Sequence, residues 1–207
     1  MDWENKTIGF AMCGSFCTFK KAMGVLEKLT QTGANVIPIM SEMSYNTDTR
    51  FGKAEDFRTN ITNLTGNNII CCVKDAEPIG PKNLLDLLVV LPCTGNTLAK
   101  IANGIADTSV TMAVKAHLRN QKPVLLAVST NDGLGTAAKN IGTLLNCKNL
   151  YFLPFSQDDY IKKPNSLVAD FEKLPDAAIA AFEGRQLQPV LGFSAQDLST
   201  SELLRTL

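Results

Sequence analysis

Short uninterrupted apolar runs alternate with amphipathic stretches along most of this chain. The runs have the length of strands, and their lack of alternation indicates strands that are covered on both faces. Regular alternation of strands and helices predicts right-handed crossovers and a parallel, doubly wound α/β sheet with helices on both faces. The predicted strands are residues 7–12, 35–40, 69–73, 87–91, 124–128 and 150–153, and the predicted helices lie near residues 19–32, 53–64, 97–106, 110–120 and 135–146.

Two stretches break this alternation. Residues 41–51 are polar and too long for a minimal connection, so they form either a mobile loop or part of a ligand site. After Phe155 a polar segment leads into a predicted helix at about residues 166–182. We assign residues 1–184 to a single Rossmann-like α/β domain and residues 185–207 to a C-terminal tail, loose or docked on a neighbouring protomer. A capping signal at residues 199–202 predicts a short helix within that tail.

Composition and charge exclude several classes of protein. A chain of 207 residues can bury one substantial core. Its 20 basic and 20 acidic residues cancel, so no overall field favours nucleic acid or an anionic membrane. No apolar run approaches the ~20 residues that span a bilayer. The first six residues are polar and acidic, unlike a signal peptide. We therefore expect a soluble, cytoplasmic protein.

The six cysteines do not form a metal-binding pattern. There is no CxxC pair, and His117 is the single histidine, so the usual spacing of zinc ligands is missing and we predict no metal site. Most of the cysteines are expected to be reduced thiols in the core. Cys17 and Cys93 are the exceptions, because both fall in turns that we assign to a ligand site.

The segment with the clearest chemistry begins where the strand at residues 87–91 ends. Small and polar residues follow this strand, and a helical pattern then starts at once. Ligands of open α/β sheets bind at such turns, and the N-terminus of a helix favours an anionic or polar group. The small side chains leave room for a flat ring. The alternative is an ordinary turn with good N-caps. The candidate ring-binding residues are Pro92, Cys93, Thr94, Gly95, Asn96 and Thr97.

A second candidate loop follows the first strand. Gly14, Ser15 and Thr18 offer close backbone approach, unpaired N–H groups and hydroxyls at the start of a helix, as a phosphate requires. Plain helix capping by Ser15 or Thr18 is the alternative. The loop is neither GxGxxG nor a P-loop, so neither a dinucleotide nor a nucleoside triphosphate is indicated. A third turn holds Asn131, followed by Asp132, which can cap the next helix.

These segments resemble the flavin-binding cysteine decarboxylase family. The run PCTGNTLAKIANGIAD, residues 92–107, is similar to the family's PASANT segment and the helix after it, with Cys93, Thr94 and Gly95 replacing Ala, Ser and Ala. The run PVLLAVSTN at residues 123–131 matches a strand that ends in a Met-Asn turn, with Thr130 in place of the methionine. The resemblance covers roughly residues 6–153.

The resemblance implies a binding site for flavin mononucleotide (FMN). The phosphate would lie on Gly14, Ser15 and Thr18 and on Ser41, the hydroxyl residue that ends the second strand. The isoalloxazine ring would lie against residues 92–97. Asn131 matches an asparagine of the family's substrate pocket, and we place it with Asn96 in the catalytic set.

A histidine of the family is missing here, because Pro78 occupies its position. His117 lies elsewhere, on a predicted helix, and we expect it to be a satisfied, partly buried side chain. Without that base, decarboxylation of a peptidyl cysteine is disfavoured. The family members that the chain resembles most instead dehydrogenate a small cyclic dicarboxylate, together with a separate partner protein that carries an NADP site. Arg50 is our candidate carboxylate ligand, because a guanidinium can grip a carboxylate with two hydrogen bonds; a solvated surface charge is the alternative.

Two other functions stay open at this stage. One is a flavin-dependent decarboxylase that acts on a thiol-containing substrate. The other is a non-catalytic scaffold that keeps the fold and the phosphate pocket. The resemblance also implies a homo-oligomer built from trimers, for which the apolar helix near residues 110–118 is a candidate contact; a core-facing helix is the alternative.

Overall fold

Five parallel strands form the centre of a seven-stranded sheet in the computed structural model, which describes residues 3–192. The order is β2-β1-β3-β4, and β4 pairs with both β5 and β7; β6 pairs with β7. This arrangement confirms the predicted doubly wound α/β class. The strands are β1 (Thr7–Met12), β2 (Asn35–Met40), β3 (Leu87–Cys93), β4 (Val124–Thr130), β5 (Leu150–Phe152), β6 (Phe155–Ser156) and β7 (Leu167–Ala169). The helices are α1 (Phe19–Thr30), α2 (Glu42–Asn46), α3 (Ala54–Thr65), α4 (Val73–Ala76), α5 (Gly95–Ala102), α6 (Ser109–Leu118), α7 (Ala138–Leu145) and α8 (Leu174–Phe182).

The central strands are buried on both faces. Every residue of β3 is buried, and so is all of β4 except its last residue, Thr130. Helices cover both sides, which explains why these strands are continuous apolar runs in the sequence. The largest fully buried side chains include Phe10, Phe19 and Phe152. Within residues 3–192, no helix has the length and apolar character needed to cross a membrane.

The predicted strand at residues 69–73 is wrong. Only Ile70 pairs with β2, through an N–H donated to the carbonyl of Pro38 and a carbonyl that accepts from Met40. Pro38 has no N–H, so the pairing cannot continue past this point toward the start of β2. In the other direction the chain turns away at Cys72 and enters α4.

The predicted helix at residues 166–182 is wrong in its first half. Leu167–Ala169 forms β7, which pairs antiparallel with the end of β4 and with β6, and a single 3₁₀ turn at Phe171–Lys173 precedes α8. Pro175 lies in the first turn of α8, where a proline is tolerated because the N–H it lacks has no partner inside the helix. The sheet is therefore mixed at this edge.

The first residues of the tail dock on their own sheet. The side chain of Gln186 bonds both the N–H and the carbonyl of Phe152, at 2.8 and 2.7 Å. Val190 and Gly192 bond the backbone of Phe155. The short helix predicted near residues 199–202 lies outside the described residues.

Helix α6 is held firmly at its start. The Thr108 hydroxyl accepts a hydrogen bond from the N–H of Thr111, and the Thr111 hydroxyl accepts one from the N–H of Thr108, both at 3.1 Å. Such a reciprocal cap satisfies two free N–H groups. The apolar face of α6, including Val110, Ala113 and Val114, is buried within the chain itself, as a core-facing helix requires.

We expect Thr108→Ala to lower the free energy of unfolding by about 1 kcal/mol, because the cap bond to Thr111 is lost. Urea unfolding of the purified protein measures this change. Thr30→Ala is the matched control, because the Thr30 hydroxyl bonds only the exposed carbonyl of Glu27 at the end of α1. Equal losses in the two variants would contradict a special role for the cap.

Candidate functional site

Four loops meet at the carboxyl edge of the parallel strands. The N–H of Cys13, after β1, donates to the carbonyl of Pro92 near the end of β3 at 3.2 Å. The Ser41 N–H, after β2, donates to the Met12 carbonyl at 3.0 Å. The hydroxyl of Ser129, on β4, bonds that of Ser15 at 2.8 Å. The edge at which open α/β sheets bind their ligands is thus a connected unit.

The loop after β3 presents the open N-terminus of α5. The Thr94 hydroxyl caps the helix by accepting from the Thr97 N–H at 3.3 Å, and the Thr97 hydroxyl donates to the sulfur of Cys13 at 3.2 Å. The N–H groups of Gly95 and Asn96 have no acceptor among the described residues. The exposed Asn96 side chain likewise forms no hydrogen bond there. Free donors thus face outward at the predicted ring-binding turn.

The predicted phosphate loop after β1 carries a second set of free donors. The backbone amides of Gly14, Phe16 and Cys17 have no acceptor within residues 3–192. Ser15 is partly exposed, while Thr18 is buried and its hydroxyl donates to the Ser15 carbonyl at 2.8 Å. Thr18 therefore shapes the turn, and Ser15 with the three amides supplies the donors that an anion needs.

Ser41 takes a different position from the one its predicted role suggests. Its hydroxyl is buried and caps α2, accepting from the Ser44 N–H at 3.2 Å. The Ser44 hydroxyl donates to the Met12 carbonyl at 3.0 Å and so ties α2 to the end of β1. Part of the long polar stretch at residues 41–51 is therefore an ordered short helix beside the site.

The loop after β4 lies directly against the start of α5. A methyl group added at Gly95 would lie 2.7 Å from the Thr130 hydroxyl oxygen and 2.8 Å from Oδ1 of Asp132. Thr130 donates its hydroxyl hydrogen to that same Asp132 oxygen. Asn131 between them is exposed and its side chain forms no hydrogen bond within the described residues. The structure thus brings Asn96 and Asn131 to neighbouring loops.

Two thiols lie behind this surface. Cys13 and Cys93 are fully buried, and burial raises the pKa of Cys13 to about 11 and that of Cys93 well above its usual range. A thiol in this state is a weak nucleophile, so Cys93 packs beneath the turn rather than reacting. Cys17 is exposed at the mouth of the site. The other three cysteines are also not buried, contrary to our expectation of core thiols.

Arg50 stays a predicted carboxylate ligand. It is exposed, and its guanidinium lies 4.9 Å from the ring centroid of Phe51, with no ion pair in the described part of the chain. Lys163 is 3.4 Å from Asp158, and Lys100 pairs with Asp107 at 2.8 Å. Arg50 is therefore free of a carboxylate partner within the described residues, whereas Lys163 and Lys100 each pair with an aspartate.

His117 is a structural side chain. It is fully buried on α6, and its Nε2 bonds the Pro123 carbonyl at 3.1 Å. Burial lowers its pKa to about 4, which keeps the imidazole neutral at neutral pH. Its Nδ1 has no partner among residues 3–192. The predicted satisfied, partly buried histidine is thus wrong in two respects, because the side chain is fully buried and its Nδ1 lacks a partner within the described residues.

A separate cavity lies away from these loops, between α1 and α8. Its volume of about 80 Å³ is far below the ~300 Å³ of a typical small-molecule pocket. Apolar side chains line most of it, including Trp3, Val25 and Leu174. It is too small to compete with the carboxyl edge as a cofactor site.

The chain has this α/β fold and belongs to the Flavoprotein family, whose model matches residues 1–168. It is 44% identical to the B subunit of dipicolinate synthase from Bacillus subtilis over 188 residues, which cover 91% of this chain and 94% of that protein. The crystal structure of the corresponding dipicolinate synthase polypeptide from Bacillus halodurans superposes with a TM-score of 0.86 at 43% identity, covering 94% of this chain and all of that one.

More distant relatives share the fold. The FMN-dependent cysteine decarboxylase SpaF superposes with a TM-score of 0.63 at 22% identity, covering 88% of this chain and 98% of that one. The coenzyme A biosynthesis bifunctional protein CoaBC of Bacillus subtilis is 30% identical over 134 residues, 62% of this chain and 30% of that protein. The sequence resemblance to flavin-binding decarboxylases is thereby confirmed at the level of the family.

Sequence reasoning missed two features of the site. Ser129 is part of an apolar run and gives no signal of its own, although it is the residue that fixes Ser15. Asp132 was interpreted only as a possible helix cap. Its approach to Gly95 depends on the spacing between β3 and β4, which no local pattern encodes.

Proposed function

We propose that this protein is the FMN-binding B subunit of a dipicolinate synthase. Acting with a separate A subunit, it would oxidise dihydrodipicolinate to dipicolinate in the mother cell of a spore-forming bacterium. The observation that carries the proposal is the pair of free donor sets at one sheet edge, one after β1 and one at the start of α5. The extensive similarity to the two dipicolinate synthase polypeptides supports the choice of substrate.

The residues at this edge fit a flavin mononucleotide. Its phosphate needs several hydrogen-bond donors, and the amides of Gly14, Phe16 and Cys17 with the Ser15 hydroxyl provide them. Its flat ring needs an accessible stretch of backbone, and the start of α5 offers one at the exposed Asn96 and the partly exposed Gly95. The free N–H groups of Gly95 and Asn96 can bond the polar atoms of the ring edge.

In this assignment the chain binds and orients, and the flavin, when bound, supplies redox chemistry. Thr18 and Ser129 hold the phosphate loop in shape through their bonds to Ser15. Thr94 and Thr97 fix the ring-binding turn on Cys13. Asn96 and Asn131 are the exposed amides that can contact the ring or the substrate. Arg50, which is exposed and has no ion pair among the described residues, is the candidate ligand for a substrate carboxylate.

Two parts of the proposal concern other chains. The nicotinamide nucleotide, NADP, is assigned to the dipicolinate synthase A subunit, and a trimer-based homo-oligomer of this chain is expected by resemblance. Titrating NADP into each purified protein tests the first assignment, and the molar mass of this chain in solution tests the second.

The test of function is reconstitution with the A subunit. We expect dihydrodipicolinate to be oxidised by the mixture, at a rate at least ~100-fold above that of either protein alone, since activity requires groups from both. The same preparation is offered a thiol-containing carboxylate, and carbon dioxide release is followed. Decarboxylation without dehydrogenation would replace the proposed function by that of a lyase.

Ser129→Ala should weaken FMN binding about fivefold, because one hydrogen bond that orders the phosphate loop is worth about 1 kcal/mol. Titration of the flavin fluorescence measures the change. The matched control is Ser156→Ala, in the edge strand β6, which should bind FMN like the wild type. If both variants bind equally well, the Ser15–Ser129 bond has no part in cofactor binding.

A further inference from the structure

The loop after β4 places one carboxylate at the ring-binding turn. Asp132 is exposed, yet its Oδ1 is fixed by the Thr130 hydroxyl and faces the backbone of Gly95 at the start of α5. The Asp132 carbonyl accepts from the N–H groups of Gly135 and Ala137, at 2.8 and 3.2 Å, so the turn that carries the carboxylate is rigid. Its Oδ2 has no hydrogen bond within the described residues.

Two departures from the family motif are coupled at this point. An alanine at position 95 would place its methyl group against both Thr130 and Asp132, closer than side chains approach one another. Glycine at 95 therefore makes room for the two oxygens, and threonine at 130, in place of methionine, supplies the donor that holds the carboxylate. Glycine at position 95 and threonine at position 130 together allow a carboxylate to lie at the ring-binding turn.

The other acids near this edge are engaged elsewhere. Oε1 of Glu42 accepts from the Ser109 N–H at the start of α6 at 3.1 Å, while its Oε2 is buried without a hydrogen-bond partner among the described residues. Asp158 pairs with Lys163. His117, the single histidine of the chain, is buried on α6 and bonded to Pro123. Asp132 lies against Gly95 at the ring-binding turn and forms no ion pair within residues 3–192.

We infer that Asp132 is the proton acceptor of this site. The inference rests on the proposed function. Aromatisation of a dihydropyridine dicarboxylate breaks two bonds to hydrogen. One hydrogen leaves with its electron pair, as hydride; the oxidant is the flavin of the proposed function, and the oxidised nicotinamide nucleotide of the A subunit takes up the two electrons in turn. The other leaves as a proton to Oδ2 of Asp132, and the electrons of its bond complete the aromatic ring. The exposed carboxylic acid then returns the proton to water.

Asp132→Asn tests the assignment because it keeps the shape and the Thr130 bond but removes the charge. With the A subunit, we expect turnover to fall at least ~100-fold, as for loss of a general base, while FMN affinity changes less than ~3-fold. Added formate should restore part of the activity of Asp132→Ala, whose cavity can hold a small carboxylate. Asp158→Asn is the matched control and should keep wild-type turnover.

A second readout does not depend on turnover. A negative charge facing the ring disfavours the reduced, electron-rich flavin, so its removal should move the midpoint potential of bound FMN to a more positive value in Asp132→Asn but not in Asp158→Asn. Either wild-type turnover or an unchanged potential in Asp132→Asn would overturn the role of Asp132 and leave the proposed function in place. A wild-type protein that binds no FMN would remove both the proposed function and this inference.

Discussion

Gly95→Ala should lose about 2 kcal/mol of folding stability, although alanine normally stabilises a helix relative to glycine. The added methyl group would lie 2.7 Å from Thr130 and 2.8 Å from Asp132, and both are short side chains that cannot swing clear without leaving their hydrogen bond. Either the loop after β4 or the turn that begins α5 must shift. Because that turn is the proposed ring surface, FMN binding should weaken at least tenfold.

Gly24→Ala is the matched control for this change. Gly24 also lies in a helix, α1, but a methyl group there meets no atom within 4 Å. We expect it to gain about 0.5–1 kcal/mol, the ordinary helical difference between the two residues. Urea unfolding and FMN titration of both variants therefore give results of opposite sign. A stabilised Gly95→Ala protein with normal FMN binding would show that the two loops are not in contact.

His117 should make the protein sensitive to acid. Burial holds its pKa at about 4 in the folded state against 6.5 in the unfolded chain, although the bond to the Pro123 carbonyl opposes the shift. Between pH 6.5 and pH 4 the unfolded chain takes up a proton that the folded protein excludes, so stability falls as the pH falls. The stability that the neutral imidazole contributes is fully present above pH 6.5. Because one pKa unit corresponds to 1.36 kcal/mol, its loss by pH 4 amounts to about 3 kcal/mol.

His117→Gln separates this effect from the titration of the carboxylates. Glutamine can donate to the Pro123 carbonyl but takes up no proton. We expect the wild type to lose about 3 kcal/mol more than the variant between pH 6.5 and pH 4, measured by urea unfolding at the two pH values. Parallel losses in the two proteins would mean that the imidazole is protonated in the folded state.

The parallel part of the fold follows from local patterns. Each central strand is buried on both faces and so appears as an unbroken apolar run, as β3 and β4 show. The outer parts of the sheet could not be predicted from such local patterns. Residues 69–73 are as apolar as a strand, but Pro38 on the neighbouring strand limits their pairing to Ile70. The short strand β7 exists because β4 extends far enough to pair with it, which is a tertiary effect.

The position of the site could be predicted, but not all of its members. Ser15, Gly95 and Asn96 follow strands directly, and the carboxyl ends of parallel strands meet at one edge. Ser41 also follows a strand, yet its hydroxyl caps α2. Arg50 was chosen for its chemistry alone, and its role stays a prediction. A site residue that is chosen only for its chemistry is thus predicted with less support than one that directly follows a strand.

The role of Asp132 depends on packing between two loops that are distant in the sequence. Its contact with Gly95 is set by the pairing of β3 with β4, where an irregularity in register falls between Val90 and Cys93. An extra residue of this kind re-aims the end of a strand. The hydrophobic pattern of the sequence does not reveal such a shift in register, because the strand residues before and after it are all buried.

Retention of FMN by the purified wild-type protein tests the central claim most directly. The visible absorption spectrum is recorded before and after addition of FMN and gel filtration, alongside Ser15→Ala and Asn96→Ala. The account predicts that flavin absorbance co-elutes with the wild type at about one equivalent per chain and is reduced in both variants, since each removes a donor from the site. A wild type that elutes without flavin after incubation would contradict the flavin site and leave the scaffold function in its place.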